Sequence, residues 1–80
     1  IDGLNEGFGP YTTFGLERYE LMIFDRWGNI LWKTTNPEEK WLGYDMDGSK
    51  MIEGVYGYSM VFRYVDNMLY TYKGTITLLN

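Results

Sequence analysis

The 80-residue chain contains no cysteine and no histidine. That removes disulfides, thiolate nucleophiles, imidazole bases and the commonest zinc ligands together. It leaves the redox compartment open, because a cytoplasmic protein and a secreted one built without disulfides both fit. Runs of like charge are also missing. Seven Lys and Arg against eleven Asp and Glu give a net charge of −4, so no surface is set out for nucleic acid or an anionic membrane. No apolar run approaches the ~20 residues of a membrane-spanning helix. The chain opens on Ile1 with neither a methionine nor a signal peptide, and is expected to be a piece of a longer precursor.

What is abundant is aromatic. Phe, Trp and Tyr make up 19% of the residues. A single domain this short buries only about 60% of its unfolded surface, so its core needs large side chains. The overall 45% hydrophobic and 22% charged residues are ordinary for a globular domain.

The patterning is that of strands. Tyr19 to Trp32 reads as two apolar runs joined by Gly28-Asn29, with Gly28 supplying the positive φ of a two-residue type II′ hairpin turn. That register makes Trp27 face Ile30, Asp25 face Trp32 and Ile23 face Thr34. It gathers Tyr19, Leu21, Ile23, Trp27, Ile30 and Trp32 on a candidate core face, with Asp25 bonding turn amides rather than buried. Val55 to Val65 alternates with period two, Tyr56, Tyr58, Met60, Phe62 and Tyr64 on one side. Asp66-Asn67 makes a second hairpin turn, Met68 to Tyr72 returns, Lys73-Gly74 reads as a bulge or kink, and Thr75 to Leu79 forms a last strand. Strands are therefore expected near 19–27, 30–35, 54–65, 68–73 and 74–79, with another at Tyr11 to Phe14. Leu21, Ile23, Trp27, Tyr56, Tyr58, Phe62, Ile76 and Leu78 should be largely buried. The fold class is all-β, a small antiparallel immunoglobulin-like sandwich of about six to seven strands, with a closed barrel as the competing architecture.

Between the hairpins the pattern stops. Asn36-Pro37 breaks the strand, and Glu38 to Lys40 is a solvated turn. Trp41 is expected to fold back over the sheet and close one end of the core. Asp45-Met-Asp47-Gly48-Ser49 invites a calcium-loop reading, but Lys50 and Tyr56 stand where an EF-hand needs Gly and Glu. A turn on Asp47-Gly48 accounts for the same residues. Residues 1–10 read as an opening loop or the end of a linker. Asp2, Asn5 and Glu6 there form only a fragment of a calcium ligand set.

Catalytic constellations are not visible. Ser49 and Ser59 lack an imidazole, the carboxylates fall on turns or solvent faces, and Lys73 suits an edge guard better than an activated amine. No enzyme, cofactor or metal site is expected.

The order of motifs carries more. Tyr19-Glu-Leu-Met-Ile-Phe24-Asp25-Arg26-Trp27-Gly28-Asn29, Trp41-x-Gly43, Gly48-Ser-Lys, Glu53-Gly54-Val-Tyr56 and Tyr72-Lys73-Gly74-Thr75-Ile76-Thr77-Leu78-Leu79 together resemble the gliding motility-associated C-terminal domain. That family is the type B sorting domain of the type IX secretion system of Bacteroidota. Glu6 stands where the family usually has Asp, and Trp41-Leu42-Gly43 departs from its Trp-Asp-Gly. The resemblance implies one sorting domain over residues 11–80, non-catalytic and attached to an upstream passenger. Such a domain is recognised by the secretion machinery and outer-membrane barrel components, and crosses the periplasm and outer membrane to the medium or cell surface. It implies Lys73 to Leu79 as the recognition strand. The rival readings are an adhesive or carbohydrate-binding module with Trp32, Trp41 or Tyr44 as platform, and a structural spacer.

Overall fold

The computed structural model describes residues 7–10 and 15–79. Their strands are β1 (Leu16–Phe24), β2 (Ile30–Thr34), β3 (Gly54–Tyr64) and β4 (Leu69–Leu78), in one antiparallel sheet of spatial order β2-β1-β3-β4. No helix occurs among the described residues. The all-β, antiparallel expectation therefore holds.

Period-two alternation puts one large apolar set on one face of this sheet. Tyr19 pairs with Phe62, Leu21 with Met60 and Ile23 with Tyr58 across β1 and β3, while Tyr56 pairs with Ile76 across β3 and β4. All of these are buried except Tyr58, which is half-buried, and Leu78 joins them. Residues 35–53 connect β2 to β3 and carry Trp41 onto this face, where it is fully buried. Its indole meets the Tyr56 ring edge-on at 5.9 Å, and its Nε1 donates to the Tyr44 carbonyl at 3.0 Å. Phe8 and Trp41 exchange backbone hydrogen bonds of 2.8 and 3.0 Å, and the Phe8 ring lies 4.9 Å from Tyr58. The core is thus closed by loop, as expected for Trp41.

Among the described residues four strands stand where six to seven were expected of the chain, in one sheet under a loop layer. Tyr11 to Phe14 lies outside the described residues. The segments 68–73 and 74–79 are one strand, because the β3–β4 register runs past Gly74 without a shift. Gly74 marks a close approach, not a bulge: a Cβ there would come within 2.9 Å of the Tyr58 ring. An aromatic laid over an edge glycine restores the packing that the glycine lacks. The register shifts fall instead in β1, between Leu16 and Arg18 and between Ile23 and Phe24.

The first hairpin also differs. β1 stops at Phe24, and Asp25–Asn29 forms the loop, with Asp25 N–H donating to the Asn29 carbonyl at 3.0 Å and Gly28 N–H to the Asp25 carbonyl at 3.1 Å. A type I turn followed by a left-handed residue, Gly28 at φ 86°, replaces the two-residue turn. The longer loop moves the register, so Ile23 faces Trp32 and Leu21 faces Thr34. Trp27 leaves the sheet altogether and is 77% exposed, which corrects its placement in the core. Ile30 is exposed and Trp32 half-buried, so only Tyr19, Leu21 and Ile23 of the expected face are buried.

Candidate recognition surface

The turn that displaces Trp27 is built by Asp25. Its Oδ1 accepts from the Trp27 and Asn29 amides, and its Oδ2 from the Asn29 side-chain amide, each at 2.9 Å. The Asn29 side-chain bond, helped by those amides, holds the carboxyl below the usual aspartate range. Arg26 lies 5.3 Å from the Trp27 ring centre, a cation–π arrangement that presents the indole outward.

The same turn recurs. Asp45 N–H donates to the Ser49 carbonyl, Gly48 N–H to the Asp45 carbonyl, and Asp45 Oδ1 accepts from the Asp47 and Ser49 amides, with Gly48 at φ 84°. Asp25-x-x-Gly28-Asn29 and Asp45-x-x-Gly48-Ser49 are therefore one device used twice, a spacing legible in the sequence and missed there. A third turn, Tyr64 to Met68, closes the same way on Asn67 at φ 66°, with Asp66 accepting from Met68 N–H and the Tyr70 hydroxyl. Asp45 thus caps a turn. Among the described residues no three His, Cys, Asp or Glu side chains gather as metal ligands; Asp2, Asn5 and Glu6 lie outside them.

Cavities flank the sheet among the described residues. One, of about 360 Å³, lies between the two Asp-Gly turns and is lined by Trp27, Leu31, Lys50, Met51 and Tyr56 among others. Another, of about 510 Å³, is lined by Glu17, Arg18, Glu20, Arg63 and Leu69 among others. Arg18 and Arg63 face each other across its ladder. The Tyr19 hydroxyl and Arg63 Nε are buried without a hydrogen-bond partner, and burial pushes the Tyr19 phenol up to about 12. Among the described residues no hydrogen bond joins a nucleophile to a base in these two cavities.

The sheet's two edges contrast. Along β2, Met46 N–H donates to the Leu31 carbonyl and Lys33 N–H to the Met46 sulfur. Along β4, no strand among the described residues takes the outer side.

The family model for the CHU_C type IX secretion signal domain matches residues 1–78. The chain belongs to the type IX secretion signal domain family. No curated protein and no solved structure matches it.

In this type IX secretion signal domain the motif residues divide into scaffold and surface. Trp41 and Tyr56 are core, and Gly43, buried at φ 92°, accepts the Met51 amide at 2.9 Å. Phe24 and Asp25 are partly buried; Arg26, Trp27, Gly28, Asn29 and Gly48 are exposed, and Gly54 opens β3. The stretch Lys73 to Leu79 is split by the pleat. Ile76 and Leu78 are buried, while Lys73, Gly74, Thr75, Thr77 and Leu79 are exposed. One strand thus contributes to the core and presents an open row.

Proposed function

We propose that this domain is a non-catalytic C-terminal address that takes a larger upstream passenger through the type IX machinery to the medium or cell surface. The observation that carries the reading is the family match over residues 1–78. The geometry supports it: an address read by a protein needs a rigid frame and an accessible edge, and β4 combines both. The outward row Lys73, Thr75 and Thr77 is the contact for the secretion machinery, and Ile76 and Leu78 hold that row in place. The adhesive-module reading loses Trp41 as platform, since its indole is fully buried.

A fluorescent passenger fused upstream of residues 1–80 tests this in a host with a type IX system. The fusion should reach the medium or surface, and the passenger alone should stay in the periplasm. Trp41→Ala, which loosens the frame, should reduce export. Equal export of the passenger with and without residues 1–80 would overturn the reading.

A further inference from the structure

The outer side of β4 carries an exposed row whose order is symmetric except at Lys73 and Thr75. Leu69, Thr71, Lys73, Thr75 and Thr77 lie on one side of the pleat, Leu79 follows directly after the strand where continued alternation would extend the row, and all are exposed. Leu69 is 57% and Leu79 48% exposed, values that leave one leucine wet at the start of the strand and one just past its end. The strand is ten residues long, contains no proline and bears a single charge, Lys73. An edge of that length and composition is a template for another strand.

Antiparallel pairing sets residues of the same face opposite each other. When the partner is a second copy, the two-fold axis must then pass a residue, and the side chains choose which. An axis at Lys73 sets two ammonium groups face to face, which disfavours it. An axis at Thr75 leaves Leu69 without a partner. With the axis at Gly74, Leu69 faces Leu79 of the other copy, Thr71 faces Thr77, and Lys73 faces Thr75, each pairing occurring twice. On the opposite side of the pleat, Tyr72, 56% exposed, faces Ile76, and Gly74 faces Gly74, where a side chain on either would crowd Tyr58. Aliphatic and Thr–Thr cross-strand pairs are stabilising ones.

We propose that two copies of this chain associate antiparallel through β4, with the two-fold axis at Gly74, into one continuous eight-stranded sheet. Lys73, which alone would guard the edge, selects this register by excluding the one centred on itself. The inference does not rest on the sorting role. The pairing occupies the edge that export would read, so the dimer and the exported form use β4 alternately.

The test is sedimentation of the purified 80-residue chain from about 10 µM to about 1 mM, a range suited to a small interface. Salt is held at about 0.15 M to screen the net charge of each copy. The chain should pass from monomer to dimer across this range. Thr75→Lys places lysines opposite Lys73 twice and should weaken association at least ~tenfold. Lys73→Glu/Thr75→Lys makes both pairs complementary and should restore the dimer, which a merely misfolded variant could not do. A wild-type chain that stays monomeric throughout overturns the proposal and leaves the edge to an extended segment of another protein. Unweakened dimerisation of Thr75→Lys, or no recovery in the double variant, overturns the register and with it the proposal.

Discussion

Replacing Trp41 by alanine should come close to unfolding the domain, while the same change at Trp27 should be hardly felt. Trp41 is fully buried beneath the β2–β3 connection, and its truncation removes contacts to Tyr56 and the Nε1 bond to the Tyr44 carbonyl. A buried aromatic covers about 150–250 Å², worth about 4–6 kcal/mol at 25 cal/mol per Å², and Trp→Ala losses in cores run about 3–5 kcal/mol. A chain of 80 residues has about 4–12 kcal/mol in total, so Trp41→Ala removes from about a quarter of it to nearly all. Trp27 is 77% exposed and touches Arg26, so Trp27→Ala should stay within about 0.5 kcal/mol of wild type. Urea titrations followed by far-UV circular dichroism give both numbers, provided the slopes agree. A loss below about 1 kcal/mol for Trp41→Ala, or above about 2 kcal/mol for Trp27→Ala, would refute the assignment of lid and surface.

Other outcomes follow from single features. Gly28→Val should cost about 1–3 kcal/mol from backbone strain alone, since Gly28 sits at φ 86° with open space around it; an unchanged melting temperature would contradict the turn. Gly74→Ala should destabilise by pushing on the Tyr58 ring, and the penalty should largely vanish in a Tyr58→Ala background, a coupling that a double-mutant cycle measures directly. Burial pushes the Tyr19 phenol up to about 12 from an ordinary value of 10, so its contribution is complete below pH 10 and is lost as pH rises toward 12. Tyr19→Phe should flatten that alkaline fall without loss at neutral pH, because the hydroxyl has no partner to lose; an unaltered slope in an alkaline denaturation series would contradict it.

The parts of this fold legible in the sequence are those ruled by a short period. The alternation of Tyr56 to Tyr64 located β3 and its buried face, and the isolation of Trp41 in a polar connection marked it as a lid. The turns were harder. Gly28-Asn29 satisfies the rule for a two-residue hairpin, but Asp25 captures the Trp27 and Asn29 amides and begins the turn earlier. Three extra loop residues, Asp25, Arg26 and Trp27, all on the β1 side, change the register and take Trp27 from core to solvent. The Asp-x-x-Gly-Asn/Ser repeat was the available signal. Gly74 failed for a different reason: a glycine covered by the Tyr58 ring, on the neighbouring strand and remote in sequence, looks, locally, like a strand break. The split of Lys73 to Leu79 into core and surface follows from the pleat, and its motif order placed the chain in its family.

The proposed sorting role makes the exposed row of β4 the surface that export reads. The most direct measurement is the export of a full-length native cargo carrying Lys73→Glu/Thr75→Glu/Thr77→Glu, three exposed positions that leave Ile76 and Leu78 in the core. The purified variant domain serves as the control for folding, and its melting temperature should stay near that of wild type. The folded variant cargo should accumulate in the periplasm while wild type reaches the medium or surface. Export of the variant at the wild-type level would contradict that role.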